Sequence, residues 1–158
     1  MAAGLLIAVK EKAIMSKTEK AIECFNKGFN CSQAIFSVYS ESLGVNNEMA
    51  NRIASGFGAG MGRLCETCGA VTGAYMVIGL NYGHASPKDN ESREKTYTLV
   101  QEFSRRFKER NKSTKCEDLL GSHLITGDKE NSVRRVKAIC PKMVRDAAEI
   151  LEELLENK

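Results

Sequence analysis

The stretch Cys65-Glu66-Thr67-Cys68-Gly69-Ala70-Val71-Thr72-Gly73-Ala74 decides the fold of this chain. It opens a segment that stays apolar on nearly every side of a helical wheel until about Asn81. A helix that is apolar all round is buried inside its protein. The sequence therefore predicts a central buried helix over residues 68–81, capped by Thr67. The small residues of this helix let another segment approach its backbone closely.

The residues before this helix follow a helical period, and a strand period is almost absent. Ser16 and Glu19 have the spacing of a capping box and predict the start of a first helix. Asn30 can cap a second helix, and Asn47 can cap a short third one. These signals predict three helices ahead of the central one.

A run of alternating glycines joins the third helix to the central one, at positions 56, 58, 60 and 62. Glycine is the residue that tolerates a positive φ, so the run predicts a loop of unusual backbone geometry. A nucleotide-binding loop is excluded, because the spacing is not G-x-G-x-x-G and no strand precedes it.

Three helical segments are predicted after the central helix. A long amphipathic helix follows the polar loop 84–90, and residues 116–121 form a short helical turn. The last helix is predicted to begin at Cys140-Pro141, because proline is favoured in the first turn of a helix. The fold class is therefore all-α, a compact multi-helix domain with a buried central helix after a glycine-rich loop.

Length and composition indicate one ordinary globular domain. The chain has 158 residues, of which 42% are hydrophobic and 27% charged. Its net charge of +3 is too small to indicate nucleic-acid binding. We expect residues 1–15 to be a disordered leader and residues 16–158 to be a single helical domain. The leader matches neither a secretory signal nor a membrane span, which predicts a cytoplasmic protein.

Six cysteines in a cytoplasmic chain point to metal or redox chemistry rather than to structural disulfides. Four of them stand at predicted helix starts, where free N–H groups favour the thiolate: Cys31, Cys68, Cys116 and Cys140. Four thiolates are the ligand set of zinc and of small iron–sulfur clusters. Cys31 lies on an apolar face and, taken alone, can equally be a small buried core residue, since cysteine packs as one. The four together favour a functional role.

These cysteines stand in recognisable surroundings: Asn30-Cys31-Ser32-Gln33-Ala34, the glycine loop, Thr67-Cys68-Gly69-Ala70-Val71-Thr72-Gly73, Cys116-Glu117 and Cys140-Pro141. The ordered set resembles the redox-active C_GCAxxG_C_C family, named for a Cys, a Cys-Gly-Ala-x-x-Gly motif and two further Cys. The resemblance covers roughly residues 18–145. The family is similar to part of the split-Soret cytochromes c, which are dimeric helical proteins with an iron–sulfur centre near their haems.

The resemblance implies that Cys31, Cys68, Cys116 and Cys140 are the ligands of an iron–sulfur cluster. It also implies a homodimer, for which the leucine-rich last helix offers a surface. Gly69 stands where a C-x-x-C-H motif has its histidine, so covalent haem is not expected. His84 and His123 lie in predicted loops and are not expected to be ligands, and Cys24 is expected to belong to the core.

Three functions are consistent with these residues. The first is electron transfer to a redox partner protein through a cluster, most simply 2Fe–2S. The second is metal-free thiol–disulfide exchange, in which Cys68 attacks and Cys65 resolves. The third is a structural zinc site formed by the same four cysteines.

Overall fold

A buried helix, Gly69–Tyr82, lies at the centre of the computed structural model, which describes residues 14–121 and 128–156. It packs against helices that precede and follow it in the chain. In chain order, the elements are α1 Lys17–Asn26, α2 Cys31–Glu41, α3 Asn47–Ser55, α4 Gly58–Arg63, α5 Gly69–Tyr82, α6 Asn90–Asn111, α7 Cys116–Leu120 and α8 Lys129–Glu156.

The described residues contain no β-strand, only one isolated bridge between Thr67 and Lys115. The prediction of an all-α fold is therefore confirmed. The predicted central helix is confirmed as well, since α5 is buried from its first residue through Ala74 and again at Val77 and Ile78.

Helix α2 packs more closely against α5 than any other helix does. A Cβ atom at Gly73 would lie 2.9 Å from the carbonyl oxygen of Ser32. Helix α8 joins the same core, because the buried Tyr39 hydroxyl donates a hydrogen bond to the carbonyl oxygen of Ala148 at 2.9 Å. The core thus connects α2, α5 and α8 directly.

Two predicted helix starts are confirmed and one is shifted. The Ser16–Glu19 capping box is present, and Asn30 forms a second one with Gln33. The prediction that Asn47 caps α3 is wrong: Asn46 is the cap, and its side chain accepts from the Met49 N–H at 3.2 Å. Either asparagine suits the position, so the sequence alone does not choose between them.

The predicted cap of α5 is wrong. Cys68, not Thr67, occupies the N-cap position, and its side chain makes no capping hydrogen bond. Thr67 instead pairs with Lys115, and the Cys68 N–H donates to the carbonyl oxygen of Thr114 at 2.8 Å. A tertiary contact with residues 114–115 therefore fixes the entry to α5, in place of a local cap.

The predicted start of the last helix is also wrong. Helix α8 begins at Lys129 and contains Pro141 in its interior. Proline inside a helix removes one hydrogen bond and costs about 3 kcal/mol. Cys140, Met143 and Val144 are buried on either side of it, so core packing offsets this cost. Cys140 is consequently not at a helix N-terminus.

The glycine run enters α4, which is a left-handed turn over most of its length, so the predicted unusual backbone geometry is present. Four consecutive residues, Ala59 to Gly62, have φ between 54° and 67° and ψ between 36° and 62°. The positive φ continues at Arg63 and Cys65. A left-handed backbone costs a non-glycine residue roughly 1–2 kcal/mol, so surrounding contacts must hold this turn.

Residues 1–13, 122–127 and 157–158 lie outside the described residues, and with them most of the predicted leader and His123. None of the helices that the structure describes has the length and apolar character that a membrane span requires.

Candidate thiol site

The four predicted ligands come from four parts of the fold. Cys31 begins α2, Cys68 precedes α5, Cys116 begins α7 and Cys140 lies within α8. Each is buried, with between 5% and 7% of its surface exposed. The charge of each thiol influences the others in all six pairings. The structure therefore brings the four together in one buried site.

Backbone hydrogen bonds hold two of these cysteines next to each other. The Cys116 N–H donates to the carbonyl oxygen of Glu66 at 2.6 Å, and the Glu117 N–H donates to that of Cys65 at 3.2 Å. Together with the bond from Cys68 to Thr114, they align residues 65–68 with residues 114–117. This alignment places Cys68 and Cys116 in the same site although they are far apart in sequence.

Two glycines allow backbone to pack directly against the site. A Cβ atom at Gly60 would lie 2.6 Å from the Cβ of Cys116, closer than real Cβ atoms approach. A Cβ atom at Gly69 would lie 3.1 Å from the Cβ of Cys31. The left-handed turn and the start of α5 thus close around the thiols.

Burial dominates the acidity of these thiols. It raises the pKa of Cys68 to about 11, although the N–H groups of Ala70 and Val71 lower it. It also raises the pKa of Cys116 to about 12, with smaller contributions from the neighbouring cysteines. The expectation that helix starts make these two cysteines thiolates is wrong, because desolvation outweighs the helix N-terminus.

Cys31 and Cys140 form a hydrogen-bonded pair. The bond to Cys140, followed by burial, raises the pKa of Cys31 well above its ordinary value. The same bond lowers the pKa of Cys140. Cys140 is the one member of the four whose pKa is lowered, although it does not start a helix.

Sequence reasoning missed the place of Cys65, which borders Cys116. Cys65 is 6% exposed, and its charge raises the pKa of Cys116 slightly. Its thiol donates a weak hydrogen bond to the Arg63 carbonyl oxygen at 3.9 Å. No local motif marks this contact, because it arises from the pairing of residues 65–68 with residues 114–117.

Cys24 and His84 lie away from the site formed by the other cysteines. Cys24 is half-buried in α1 and shares a hydrogen bond with Ser37 at 3.8 Å, which fits its predicted core role. His84 is exposed in the loop between α5 and α6.

The donor set fits a thiolate-bound metal in type and number, since four cysteines are the ligand set of zinc and of iron–sulfur clusters. Ser32, which follows Cys31 in α2, is fully buried and its Oγ has no hydrogen-bond partner among the described residues. Over residues 14–121 and 128–156, however, no three His, Cys, Asp or Glu side chains stand close enough together to hold a metal ion as they are. Binding would require the thiols to turn toward a common centre.

Comparison with known proteins gives one match. No curated protein and no solved structure matches this chain. A family model does match, over residues 29–154, a range that contains Cys31, Cys68, Cys116 and Cys140. The chain therefore belongs to the family described as "Putative redox-active protein (C_GCAxxG_C_C)".

Proposed function

We propose that Cys31, Cys68, Cys116 and Cys140 hold an iron–sulfur cluster, most simply 2Fe–2S, and that the protein passes electrons to a redox partner protein in the cytoplasm. The observation that carries this proposal is the mutual interaction of the four buried thiols. A bound cluster would supply reversible one-electron chemistry.

Family membership favours iron over zinc in this proposal. The family is described as redox-active, whereas zinc has no redox chemistry. Burial of all four thiols would keep water away from a bound cluster.

The four cysteine thiols must lose their protons when they bind a metal. Thiols bind metals as thiolates, and the raised pKa values of Cys68 and Cys116 keep both protonated near neutral pH. Cys140 is the one of the four thiols whose pKa is lowered, through its interaction with Cys31. We expect Cys140 to bind first and the remaining thiols to lose their protons as metal binds.

The test is to purify the protein without oxygen and to measure its absorption spectrum with iron, acid-labile sulfide and zinc per chain. The expected result is a coloured protein with iron and sulfide in equal amounts, bleached by dithionite. Cys140→Ser should lose most of the iron, whereas Cys24→Ser should keep it, because Cys24 lies outside the site. Circular dichroism checks that both variants are folded.

Two results contradict the cluster. A colourless protein with one zinc per chain would indicate the structural zinc site instead. Equal loss of iron from Cys24→Ser and Cys140→Ser would show that the four ligands are wrongly chosen.

Thiol–disulfide exchange without metal is the second candidate, and the hydrogen bond between Cys31 and Cys140 favours it. An acidic thiol beside a protonated one is the arrangement that such exchange requires. If the protein catalyses exchange, we expect Cys31 and Cys140 to be the exchanging thiols. The pair that the sequence predicted, Cys65 and Cys68, remains a prediction. A metal-free protein in which mild oxidation removes the Cys31 and Cys140 thiols together would support this candidate.

A further inference from the structure

Cys65 and Cys116 both lie beside Gly60. A Cβ atom built on Gly60 would lie 3.0 Å from the Cα of Cys65 and 2.6 Å from the Cβ of Cys116. The same point is 3.0 Å from the Cys116 sulfur. Cys65 and Cys116 are therefore near neighbours, and Gly60 leaves the space between them free of any side chain of its own.

The backbone holds this pair in register. The hydrogen bonds from Cys116 to Glu66 and from Glu117 to Cys65 run between the two segments at this point. Disulfide-bonded cysteines have Cα atoms about 4.4–6.8 Å apart, a separation that segments paired in this way can provide. The Cys65 thiol now points to the Arg63 carbonyl oxygen through a weak bond, so a side-chain rotation is enough to turn it away.

Both cysteines lie just beneath the surface. Leu64 and Glu66 on either side of Cys65 are exposed, and Leu64 is 73% exposed. Lys115, which precedes Cys116, is exposed too. Cys65 and Cys116 themselves keep exposed fractions of 6% and 5%. We therefore expect a small neutral oxidant such as hydrogen peroxide to reach them more easily than a larger protein thiol does.

We propose that Cys65 and Cys116 form a reversible disulfide in the presence of peroxide, and that this bond withdraws Cys116 from the four-thiol site. The disulfide itself rests on the geometry of the pair, and its effect on metal binding rests on the proposed function. Cys65 is outside the four ligands, so it acts as a switch residue for a site to which it does not belong.

The chemistry balances with one molecule of hydrogen peroxide. The Cys65 sulfur attacks a peroxide oxygen, the O–O bond breaks, and Cys65 becomes a sulfenic acid as one water leaves. The Cys116 sulfur then attacks the Cys65 sulfur, the S–O bond breaks, and the hydroxyl leaves as a second water with the thiol proton. Two thiols are oxidised by two electrons, and the peroxide is reduced to two waters; a dithiol reductant reverses the change.

The disulfide is tested by peptide mapping of the full chain. Metal is removed with a chelator, the thiols are reduced, and one equivalent of hydrogen peroxide is added before the free thiols are blocked. Digestion after Lys, Arg and Glu puts each cysteine on a different peptide, with Cys65 on residues 64–66, Cys68 on residues 67–88 and Cys116 on residues 116–117. We expect the peptides of Cys65 and Cys116 to be the main linked pair.

Two matched variants connect the disulfide to metal binding. Zinc alone is the probe, because it binds four thiolates without redox chemistry of its own. Peroxide should weaken zinc binding at least tenfold in the wild type and in Cys24→Ser, and a dithiol should restore it. Cys65→Ser should keep its zinc affinity after peroxide, since it has no partner for Cys116.

The mapping decides the disulfide independently of the metal. Linkage of Cys31 to Cys140 or of Cys65 to Cys68 as the main product, or no linkage, would overturn the inference. A linked Cys65–Cys116 pair in a protein that binds neither zinc nor iron would support the disulfide and contradict the proposed function. Zinc affinity that falls equally in Cys65→Ser and in the wild type would overturn the switch.

Discussion

Gly60 combines two constraints that a side chain would violate. Its φ of 66° is in the left-handed region, and a Cβ atom there would meet Cys116. Gly62 in the same turn has a φ of 67°, but a Cβ atom there would make only an ordinary contact, 3.7 Å from the carbonyl oxygen of Gly56. Gly56 has neither constraint. Alanine substitutions at these three positions therefore distinguish the cost of a left-handed backbone from the cost of steric overlap.

We predict a graded loss of stability when these glycines are changed to alanine. Gly56→Ala should change the free energy of unfolding by less than about 0.5 kcal/mol. Gly62→Ala should lower it by about 1–2 kcal/mol through the left-handed backbone. Gly60→Ala should lower it by a further 1–3 kcal/mol, roughly the cost of overpacking against Cys116. Urea denaturation of the three variants measures this order.

The same series tests the link between the turn and the thiol site. Only Gly60→Ala should also reduce metal binding, because only this alanine would displace Cys116. If Gly60→Ala were no less stable than Gly62→Ala, the close approach of the turn to Cys116 would be wrong.

At the scale of residues, the sequence predicted where unusual backbone occurs but not how far it extends. Alternating glycines indicated unusual backbone over residues 56–62, and of these glycines Gly60 and Gly62 have a positive φ whereas Gly56 and Gly58 do not. The positive φ of Ala59, Met61 and Cys65 has no sequence signal, because such residues avoid this region unless tertiary contacts hold them there. The acidity of Cys68 and Cys116 was also predicted wrongly, since burial depends on the whole fold.

Helix α5 has a tightly packed glycine and an open one. A Cβ atom at Gly73 would lie 2.9 Å from the Ser32 carbonyl oxygen and 3.0 Å from the Cβ of Ile35, both in α2. A Cβ atom at Gly79, nearly two turns later, would meet nothing within 4 Å. The two glycines share the same intrinsic preference against a helix, so any difference between them comes from packing.

We predict that alanine has opposite effects at these two positions. Gly73→Ala should lower the free energy of unfolding by about 1–3 kcal/mol, because it forces α2 away from α5. Gly79→Ala should raise it by about 0.5–1 kcal/mol, because alanine loses less backbone freedom in a helix. Thermal or urea unfolding gives both signs. Stabilisation by Gly73→Ala would show that α2 does not lie so close to α5.

At the scale of elements, the periodic spacing of apolar residues predicted the helices well and the ends of the helices less well. Local signals succeeded where a cap is local, as at Ser16 and Asn30. They failed at Thr67, where pairing with Lys115 replaces the cap. They failed again at Pro141, because the sequence could not show that packing outweighs the local preference of proline for a first turn.

The whole molecule converges on its thiols. One cysteine comes from each of four places in the fold: the starts of α2, α5 and α7, and the interior of α8. The four are far apart in sequence, and no local motif indicated that they meet. In the reduced, metal-free protein the site therefore consists largely of buried protonated thiols. Their ionisation is linked to global stability, because unfolding returns each thiol to water.

We predict that the metal-free, reduced protein loses stability as the pH rises above 9. The pKa of Cys68 is about 11 in the folded chain and 9.0 in the reference state, so both states are protonated below pH 9. Between pH 9 and about 11 the unfolded chain releases this proton first, which costs the fold about 3 kcal/mol. Burial of Tyr39 raises its pKa and adds a loss in the same direction at higher pH.

Comparison with Cys68→Ala isolates the thiol from the tyrosine. Urea denaturation at several pH values, without oxygen and with chelator present, should give a shallower fall for Cys68→Ala than for the wild type between pH 9 and 11. Tyr39→Phe should keep the wild-type slope between pH 9 and 10 and lose part of it above pH 10. Equal slopes for Cys68→Ala and the wild type would show that the Cys68 thiol is solvated in the folded protein, and the buried four-thiol site would have to be abandoned.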